Sequence, residues 1–254
     1  MNRSKNTVLI TGGSEGIGLA MAEKFLAEGN EVIICGRTKA KLDAAQKLFP
    51  KLNTIVSDVS SEAGREGLVA EIKNRFPKLN VLVNNAGIYS ITDIIQPNYI
   101  STLEAELKTN LIAPLALINQ LMPILEKQSG ATIVNVTSGY VFIPSAQSSA
   151  YSASKSALSV ITRALRFQLR TTPISVVEVV PPAVDTQMNK GKKINLMSPE
   201  IFAEKVFKGL INGQDEIIIG VSKLGKILSR IAPKFGFNKM NTDEEKQQKS
   251  TNAN

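Results

Sequence analysis

Residues 7–18 read TVLITGGSEGIG and carry three structural signals in succession. The first five residues are apolar or β-branched, which predicts a strand buried on both faces. Residues 16–28 then place Ile17, Met21 and Phe25 on one face of a helix. Glycines between a strand and a helix let the backbone approach a pyrophosphate, to which the helix N-terminus offers free N–H groups. The spacing departs from G-x-G-x-x-G, and a flexible glycine turn is the alternative.

Short apolar runs alternate with helical patterns along the rest of the chain. Together they predict a Rossmann-type α/β fold, with a doubly wound parallel sheet flanked by helices, in one domain of residues 1–237. Ser61 and Ser198 are expected to cap two helices, with Pro199 at the first helical position of the second. Pro114 predicts an irregularity in the longest helix. Residues 238–254 are polar and predict a disordered tail. The predicted strands are 7–11, 31–35, 54–57, 81–84, 131–137, 174–180 and 216–219, and the predicted helices are 16–28, 39–48, 61–76, 99–127, 150–171 and 199–212.

Composition excludes several classes of function. The 254 residues are 43% hydrophobic and 20% charged, as in soluble globular proteins. The absence of histidine excludes Ser-His-Asp, Cys-His and His-ligated zinc sites, and the one cysteine, Cys35, excludes an intrachain disulfide. No signal peptide and no long apolar run is apparent, so a cytoplasmic protein is expected. With no tryptophan and 5% aromatic residues, the chain shows no module for binding nucleic acid.

The net charge of +8 includes a basic, apolar segment near the C-terminus. Between residues 221 and 239, five lysines and arginines alternate with apolar residues. A helix that covers the sheet edge or a subunit interface is the favoured interpretation. Peripheral contact with a membrane surface is the alternative.

The residues after the second predicted strand bear on the choice of dinucleotide. A carboxylate at this position would bind the adenosine ribose and repel a 2′-phosphate, but the chain has Gly36 there. Arg37, the next residue, can pair with a phosphate through two hydrogen bonds. The sequence therefore favours NADP(H) over NAD(H), and an Arg37 that only stacks on adenine or caps a helix is the alternative.

Tyr151, Lys155 and Ser138 suggest acid–base chemistry without histidine. Tyr151 and Lys155 are four apart on one predicted helix face, and Ser138 follows a strand. A free tyrosine has a pKa of about 10, so proton transfer near neutral pH requires stabilisation of its phenolate. We expect the Lys155 ammonium, and a positive nicotinamide, to lower this pKa.

These motifs, taken in order, resemble those of the short-chain dehydrogenase/reductase family. The resemblance runs from Thr11 to about Thr186 and includes TGGSEGIG at 11–18, Asp58, NNAG at 84–87, Asn110, Ser138 and YSASK at 151–155. It implies that Ser138, Tyr151 and Lys155 form a catalytic triad, with Asn110 completing a proton relay. It also implies that a dinucleotide is held by Gly12, Ser14, Glu15, Ile17, Gly18, Arg37, Asp58, Val59, Asn85, Ala86, Gly87, Tyr151, Lys155, Val184 and Thr186.

The activity that the resemblance implies is hydride transfer between NADP(H), or less favourably NAD(H), and a small carbonyl or alcohol. A silent NADP(H)-binding sensor or scaffold, and an epimerase or dehydratase that recycles its cofactor, are the alternatives. Residues 89–98, 139–148 and 187–197 are expected to surround a moderately apolar substrate pocket. A homodimer or homotetramer is expected to form through the long helices at 99–127 and 150–171.

One position departs from the family. The usual Pro-Gly after the sixth strand is Pro181-Pro182 here, and a proline fixes φ and removes an N–H. This puts the geometry of the neighbouring cofactor loop in doubt. Together with NTVLITGGS and VIICGR, the paired prolines also narrow the resemblance to one subgroup of the family.

Overall fold

A parallel sheet forms the centre of the computed structural model, which describes residues 1–190 and 195–252, with side chains up to residue 246. Within these ranges the sheet has seven strands in the order β3-β2-β1-β4-β5-β6-β7. The chain runs outward from β1 to β3, returns to place β4 beside β1, and then runs outward in the other direction to β7. The strands are β1 Thr7–Thr11, β2 Glu31–Gly36, β3 Asn53–Val56, β4 Leu79–Asn84, β5 Thr132–Val136, β6 Ser175–Val180 and β7 Glu216–Ile218.

Helices connect the strands and cover both faces of the sheet, as the sequence predicts. Val8 and Ile10 of β1 pack in one apolar cluster, whereas Leu9 between them packs in a second cluster on the opposite face. The doubly wound parallel fold is therefore confirmed. The helices are α1 Gly16–Ala27, α2 Lys39–Leu48, α3 Glu62–Arg75, α4 Tyr99–Leu107, α5 Ala113–Leu125, α6 Ser149–Gln168, α7 Pro199–Ile211, α8 Ser222–Ile231 and α9 Pro233–Asn252.

Local sequence signals explain where several helices begin. Ser61 caps α3 by accepting a hydrogen bond from the Gly64 N–H at 3.1 Å. Ser198 caps α7 in the same way, and Pro199 occupies the first helical position, where no N–H is needed. Both caps agree with the sequence prediction.

The predicted long helix at 99–127 is interrupted, as Pro114 predicts. Residues Lys108–Ile112 form a wider π-helical turn between α4 and α5. Pro114 has no N–H to donate to the carbonyl of Asn110 four residues earlier, so the α-helical hydrogen-bond ladder fails at this point. Such π-helical turns often occur at functional sites.

The C-terminal segment differs from its prediction. Residues 238–252 belong to α9, where the sequence predicts a disordered tail. Asn241 is buried, and its amide Nδ2 donates to the Pro144 carbonyl at 3.2 Å. Hydrogen bonds to a distant loop therefore order a segment whose polar composition alone predicts disorder. Among the described residues, no helix combines the length and apolar character needed to cross a membrane.

Candidate active site

A cleft of about 1070 Å³ opens at the carboxyl ends of the strands, beside the neighbouring strands β1 and β4, where the strand order reverses. It brings together sixteen of the predicted site residues, whereas Asn110 lies behind its wall. Residues 191–194 of the predicted pocket segment 187–197 lie outside the described residues. The sixteen residues are Gly12, Ser14, Glu15, Ile17, Gly18, Arg37, Asp58, Val59, Asn85, Ala86, Gly87, Ser138, Tyr151, Lys155, Val184 and Thr186.

The turn between β1 and α1 forms one end of the cleft and requires glycine. Gly12 has a φ of +63°, and a Cβ on it would lie 2.9 Å from the Ala86 Cα. At the start of α1, the side chain of Glu15 makes no capping hydrogen bond. The first N–H groups of α1 are therefore left for an anion, which is what a pyrophosphate site requires.

Arg37 lines the cleft directly after the end of β2. Its side chain is exposed at the cleft, and no ion pair among the described residues involves it. Neighbouring Lys41 instead pairs with Glu15 at 2.9 Å. The guanidinium of Arg37 is thus not neutralised by a carboxylate of the described chain.

Asparagine and aspartate side chains fix the strand ends around this part of the cleft. Asn85 Nδ2 donates to the carbonyls of Thr11 and Gly12 at 2.9 and 3.1 Å. The Thr11 hydroxyl accepts from the Asn85 and Ala86 N–H groups at 3.0 Å. Asp58 accepts from the Ser60 N–H and hydroxyl at 3.0 and 2.7 Å, which holds its carboxylate at the cleft. The glycine turn is therefore tied directly to β4.

Thr186 and the paired prolines lie on the opposite side of the cleft. The Thr186 methyl group is close to Gly16, since a Cβ on that glycine would meet it at 3.1 Å. Pro182 packs against Gly220, and the Pro181 carbonyl accepts a hydrogen bond from the Ser222 hydroxyl at 3.0 Å. The two prolines thus anchor the segment that leads into α8 and leave Val184 and Thr186 lining the cleft.

Tyr151 and Lys155 meet on the first turns of α6. Tyr151 is 8% exposed and Lys155 is 3% exposed, and both line the cleft. The Lys155 ammonium donates to the Val136 carbonyl at the end of β5 at 2.8 Å and lies 5.9 Å from the centroid of the Tyr151 ring. The end of β5 therefore positions this lysine beside the phenol.

The pKa of Tyr151 differs from the sequence expectation. Burial raises it above the usual tyrosine value. The Ser138 hydrogen bond lowers it by a smaller amount, and the charge of buried Glu106 raises it slightly further. Burial also lowers the pKa of Lys155 to about 8. Loss of water around the two side chains therefore sets the direction of both shifts. The pKa of Tyr151 is thus raised, whereas the sequence predicts a lowered value.

Aromatic rings surround Tyr151 on its open side. Tyr89 and Tyr140 pack edge-on against its ring, with centroids at 5.1 and 6.1 Å. Ser138 accepts a hydrogen bond from the Tyr140 N–H at 3.3 Å, so the same residue contacts both the phenol and the aromatic wall. Burial raises the pKa of Tyr140 as well.

Asn110 is fully buried in the π-helical turn. Its Nδ2 donates to the Ile88 carbonyl and the Ser154 hydroxyl at 2.9 and 3.0 Å, and its Oδ1 accepts from the Ile88 N–H at 2.9 Å. The side-chain amide is therefore used to hold the loop after β4.

The C-terminal helix α9 contributes residues that the sequence prediction missed. Glu244 accepts hydrogen bonds from the Tyr140 and Ser145 hydroxyls at 2.8 and 2.6 Å, and Asn241 accepts from the Ala146 N–H at 2.6 Å. Glu244 also lines the cleft. These contacts join residues about 100 positions apart, which no local sequence pattern reveals.

The predicted substrate segments only partly reach the cleft. Ile91, Ile143 and Met188 line it, whereas Ile94 and Ile95 are exposed elsewhere. Leu224 and Leu228 of α8 add apolar surface that the sequence analysis did not assign to the pocket. The end of the cleft beyond Tyr151 is therefore apolar, with the Glu244 carboxylate at its edge.

Comparison with known proteins agrees with this geometry. The short chain dehydrogenase family matches residues 6–197. The chain is 42% identical over 224 residues to the uncharacterized oxidoreductase DltE of Bacillus subtilis (strain 168), a match that covers 85% of this chain and 89% of that protein. This match confirms the narrower, DltE-like resemblance that the paired prolines indicate.

Solved structures share the fold over most of the chain. A short chain dehydrogenase from Burkholderia cenocepacia J2315, in complex with NADP, has a TM-score of 0.82 at 21% identity and covers 92% of this chain and 97% of its own. A short-chain dehydrogenase from Sphingobium yanoikuyae, in complex with NADPH, has a TM-score of 0.76 at 25% identity, with coverage of 84% and 87%. The sheet and its flanking helices are thus the architecture of these proteins.

Proposed function

The chain belongs to the short-chain dehydrogenase family, and from this membership we propose that it is an oxidoreductase using NADP(H) on a small carbonyl or alcohol. One observation carries the proposal. Ser138, Tyr151 and Lys155 meet in a cleft whose other end is a glycine turn at a helix N-terminus. An anion-binding end and a proton-donating end in one cleft suit a dinucleotide and a substrate lying head to tail.

The residues of the cleft fit NADP(H). The turn at Gly12 and the uncapped start of α1 would hold the pyrophosphate, and Arg37 would pair with the 2′-phosphate. Asp58 and Val59 would contact the adenine, and Val184 and Thr186 would lie near the nicotinamide. When bound, the nicotinamide supplies or accepts a hydride at C4.

Tyr151 is suited to act as the acid in carbonyl reduction. Its raised pKa keeps the phenol protonated at neutral pH, so it carries a proton to donate. The Ser138 hydroxyl, which bonds to the same phenol, can donate to the substrate oxygen and hold it at the tyrosine. In this arrangement, negative charge that develops on the substrate oxygen meets two hydrogen-bond donors in a site with little water.

Lys155 and Asn110 would return the proton. The buried ammonium, with a pKa lowered to about 8, is poised to release a proton near neutral pH. Its hydrogen bond to the Val136 carbonyl holds it beside Tyr151. A water held by Asn110 would supply a proton to this lysine, which would return it to Tyr151.

The proposed assembly is a homodimer or homotetramer. The surface formed by α4, the π-helical turn and α6 carries exposed apolar side chains, among them Ile100, Val160 and Phe167 at 62%, 55% and 66% exposure. Burial of these side chains between copies of the chain would remove apolar surface from water.

A panel of aldehydes, ketones and quinones tests the activity. We expect NADPH oxidation that depends on the added carbonyl and is lost in Tyr151→Phe. Consumption of NADPH in a 1:1 ratio with product distinguishes a reductase from an epimerase or dehydratase, which would regenerate its cofactor. Tight NADPH binding with no turnover across the panel would instead support a silent sensor.

A further inference from the structure

Helix α8 packs against the body of the protein through its small residues. Ser222 is 5% exposed. A Cβ on Gly225 would lie about 4 Å from Phe142 and Ile143, which is an ordinary contact distance. Lys226, farther along the same helix, pairs with Glu216 of β7. The helix is therefore fixed in one rotational setting by its small and polar residues.

This setting turns the apolar residues of α8 outward. One face of α8 carries Leu224, Ile227 and Ile231, which are 57%, 54% and 75% exposed. Val221, which directly precedes the helix, lies on the same side and is 73% exposed. We call these four residues the α8 patch. Single exposed apolar residues are ordinary, but an amphipathic helix that faces its apolar side away from the core points to a partner.

The segment around the α8 patch is strongly basic. Residues 217–242 include five lysines and arginines and no aspartate or glutamate. Lys226 and Lys239 form ion pairs with Glu216 and Asp243. Among the described residues, no ion pair involves Lys223, Arg230 or Lys234. At least three positive charges are therefore left beside the α8 patch for a partner.

This charge distribution decides between two occupants. A second copy of the chain, docked patch to patch about a twofold axis, would bring the same cations against each other. A bilayer that contains anionic lipid would accept the apolar side chains and attract the basic ones. We propose that the α8 patch docks on the surface of an anionic lipid bilayer.

Docking would place the mouth of the cleft at the lipid surface. Val221 and Leu224 belong to the α8 patch and also line the cleft, beside Leu228. An amphiphilic molecule held in the bilayer could therefore pass from lipid to cleft along apolar side chains. Binding itself needs no turnover, so its test is independent of the proposed enzymatic activity.

Vesicle sedimentation tests the docking with the full chain. We expect binding to vesicles that contain phosphatidylglycerol, little binding to vesicles of phosphatidylcholine alone, and weakening with added salt. Ile227→Ser/Ile231→Ser should reduce the partition coefficient by roughly tenfold or more, since it removes two inserted side chains. The matched control is Leu48→Ser/Ile201→Ser, which changes two apolar residues of similar exposure on other helices and should bind like the parent.

A tryptophan reporter gives a second readout. Because the chain has no tryptophan, Ile231→Trp and Leu48→Trp each introduce a single fluorophore. The emission of Ile231→Trp should shift to the blue with phosphatidylglycerol vesicles, while that of Leu48→Trp should stay unchanged.

Three results would overturn the proposal. One is equal binding to both kinds of vesicle, or none to either. Another is unchanged binding in Ile227→Ser/Ile231→Ser. The third is a change from oligomer to smaller species in that variant without lipid, measured by light scattering, which would assign the α8 patch to a second copy of the chain.

Discussion

The glycine turn after β1 and the helix α9 line the same cleft but are held in place by different means. Neighbouring strand ends fix the turn: the Gly12 N–H donates to the Cys35 carbonyl at 2.9 Å, and the Asn85 side chain after β4 donates to the Thr11 and Gly12 carbonyls. Side chains fix α9, mainly through the hydrogen bonds of Glu244 and Asn241 to residues 140–146. The glycine-turn end of the cleft is thus held by the adjacent strand ends, whereas the α9 end is held by a few side-chain contacts with a distant loop.

This difference suggests a division of labour. The glycine-turn end allows little change in sequence, since a Cβ at Gly12 would collide with Ala86. The α9 end depends on side chains, so single substitutions can change its shape without disturbing the sheet. We therefore expect variants at the first end to alter cofactor binding, and variants at the second to alter substrate binding alone.

Tyr151→Phe tests the point where the two ends meet and should have the largest effect. The variant removes the proton donor and keeps the ring that packs between Tyr89 and Tyr140. We expect kcat to fall by about a thousandfold, as for loss of a general acid, with NADPH affinity within about twofold. Stopped-flow turnover and NADPH fluorescence titration measure the two quantities. A variant that keeps full activity would remove Tyr151 from the mechanism.

Arg37→Ala changes the cofactor end only. Loss of a charge-assisted contact to the 2′-phosphate should lower kcat/KM for NADPH by roughly 10- to 100-fold. The values for NADH and for the carbonyl substrate should change little. Lys41→Ala is the matched control, because this neighbouring cation already pairs with Glu15. An unchanged ratio of NADPH to NADH activity would show that Arg37 does not read the phosphate.

The sequence predicted the local structure of the glycine turn far better than the packing of α9, for a physical reason. Glycines, caps and strand ends act over a few residues, so TGGSEGIG, Ser61 and Pro114 each indicate a local structure that the chain adopts. The hydrogen bond from Tyr140 to Glu244 spans 104 positions and depends on where α8 and α9 pack. The polar composition of residues 238–246 carries no sign of that packing.

The pKa of Tyr151 illustrates a second limit. The sequence shows that a lysine lies one turn away, but it does not show how deeply the pair is buried. Burial decides the direction in which the pKa of each side chain shifts, upward for Tyr151 and downward for Lys155. The direction of a pKa shift depends on the sum of two effects, the loss of water around the group and the charges beside it.

Buried Lys155 should make the free energy of unfolding depend on pH. Its pKa is lowered from 10.5 to about 8, so between these values the unfolded chain binds more protons than the folded one. Stability then rises with pH, by about 1 kcal/mol from pH 8 to 9. Buried Cys35, whose pKa is raised to about 12, acts in the opposite direction above about pH 9.

Urea denaturation of the parent and of Lys155→Met at pH 8 and 9 isolates this contribution. Cys35 and the tyrosines are present in both proteins, so their effects cancel in the difference. The variant should lack the rise that the parent shows. Equal pH dependence in the two proteins would mean that Lys155 titrates normally in the fold.

Glu244→Gln changes the substrate end only and should have the smallest effect. An amide offers one acceptor oxygen in place of two, so the hydrogen bond from either Tyr140 or Ser145 is weakened. We expect KM for the carbonyl substrate to rise about three- to tenfold, with a loss of about 1 kcal/mol in stability. NADPH affinity should stay the same, as should the parameters of Glu245→Gln, the exposed neighbour used as control. A loss of NADPH affinity as large as the change in KM would show that the two ends of the cleft are coupled through α9 rather than held independently.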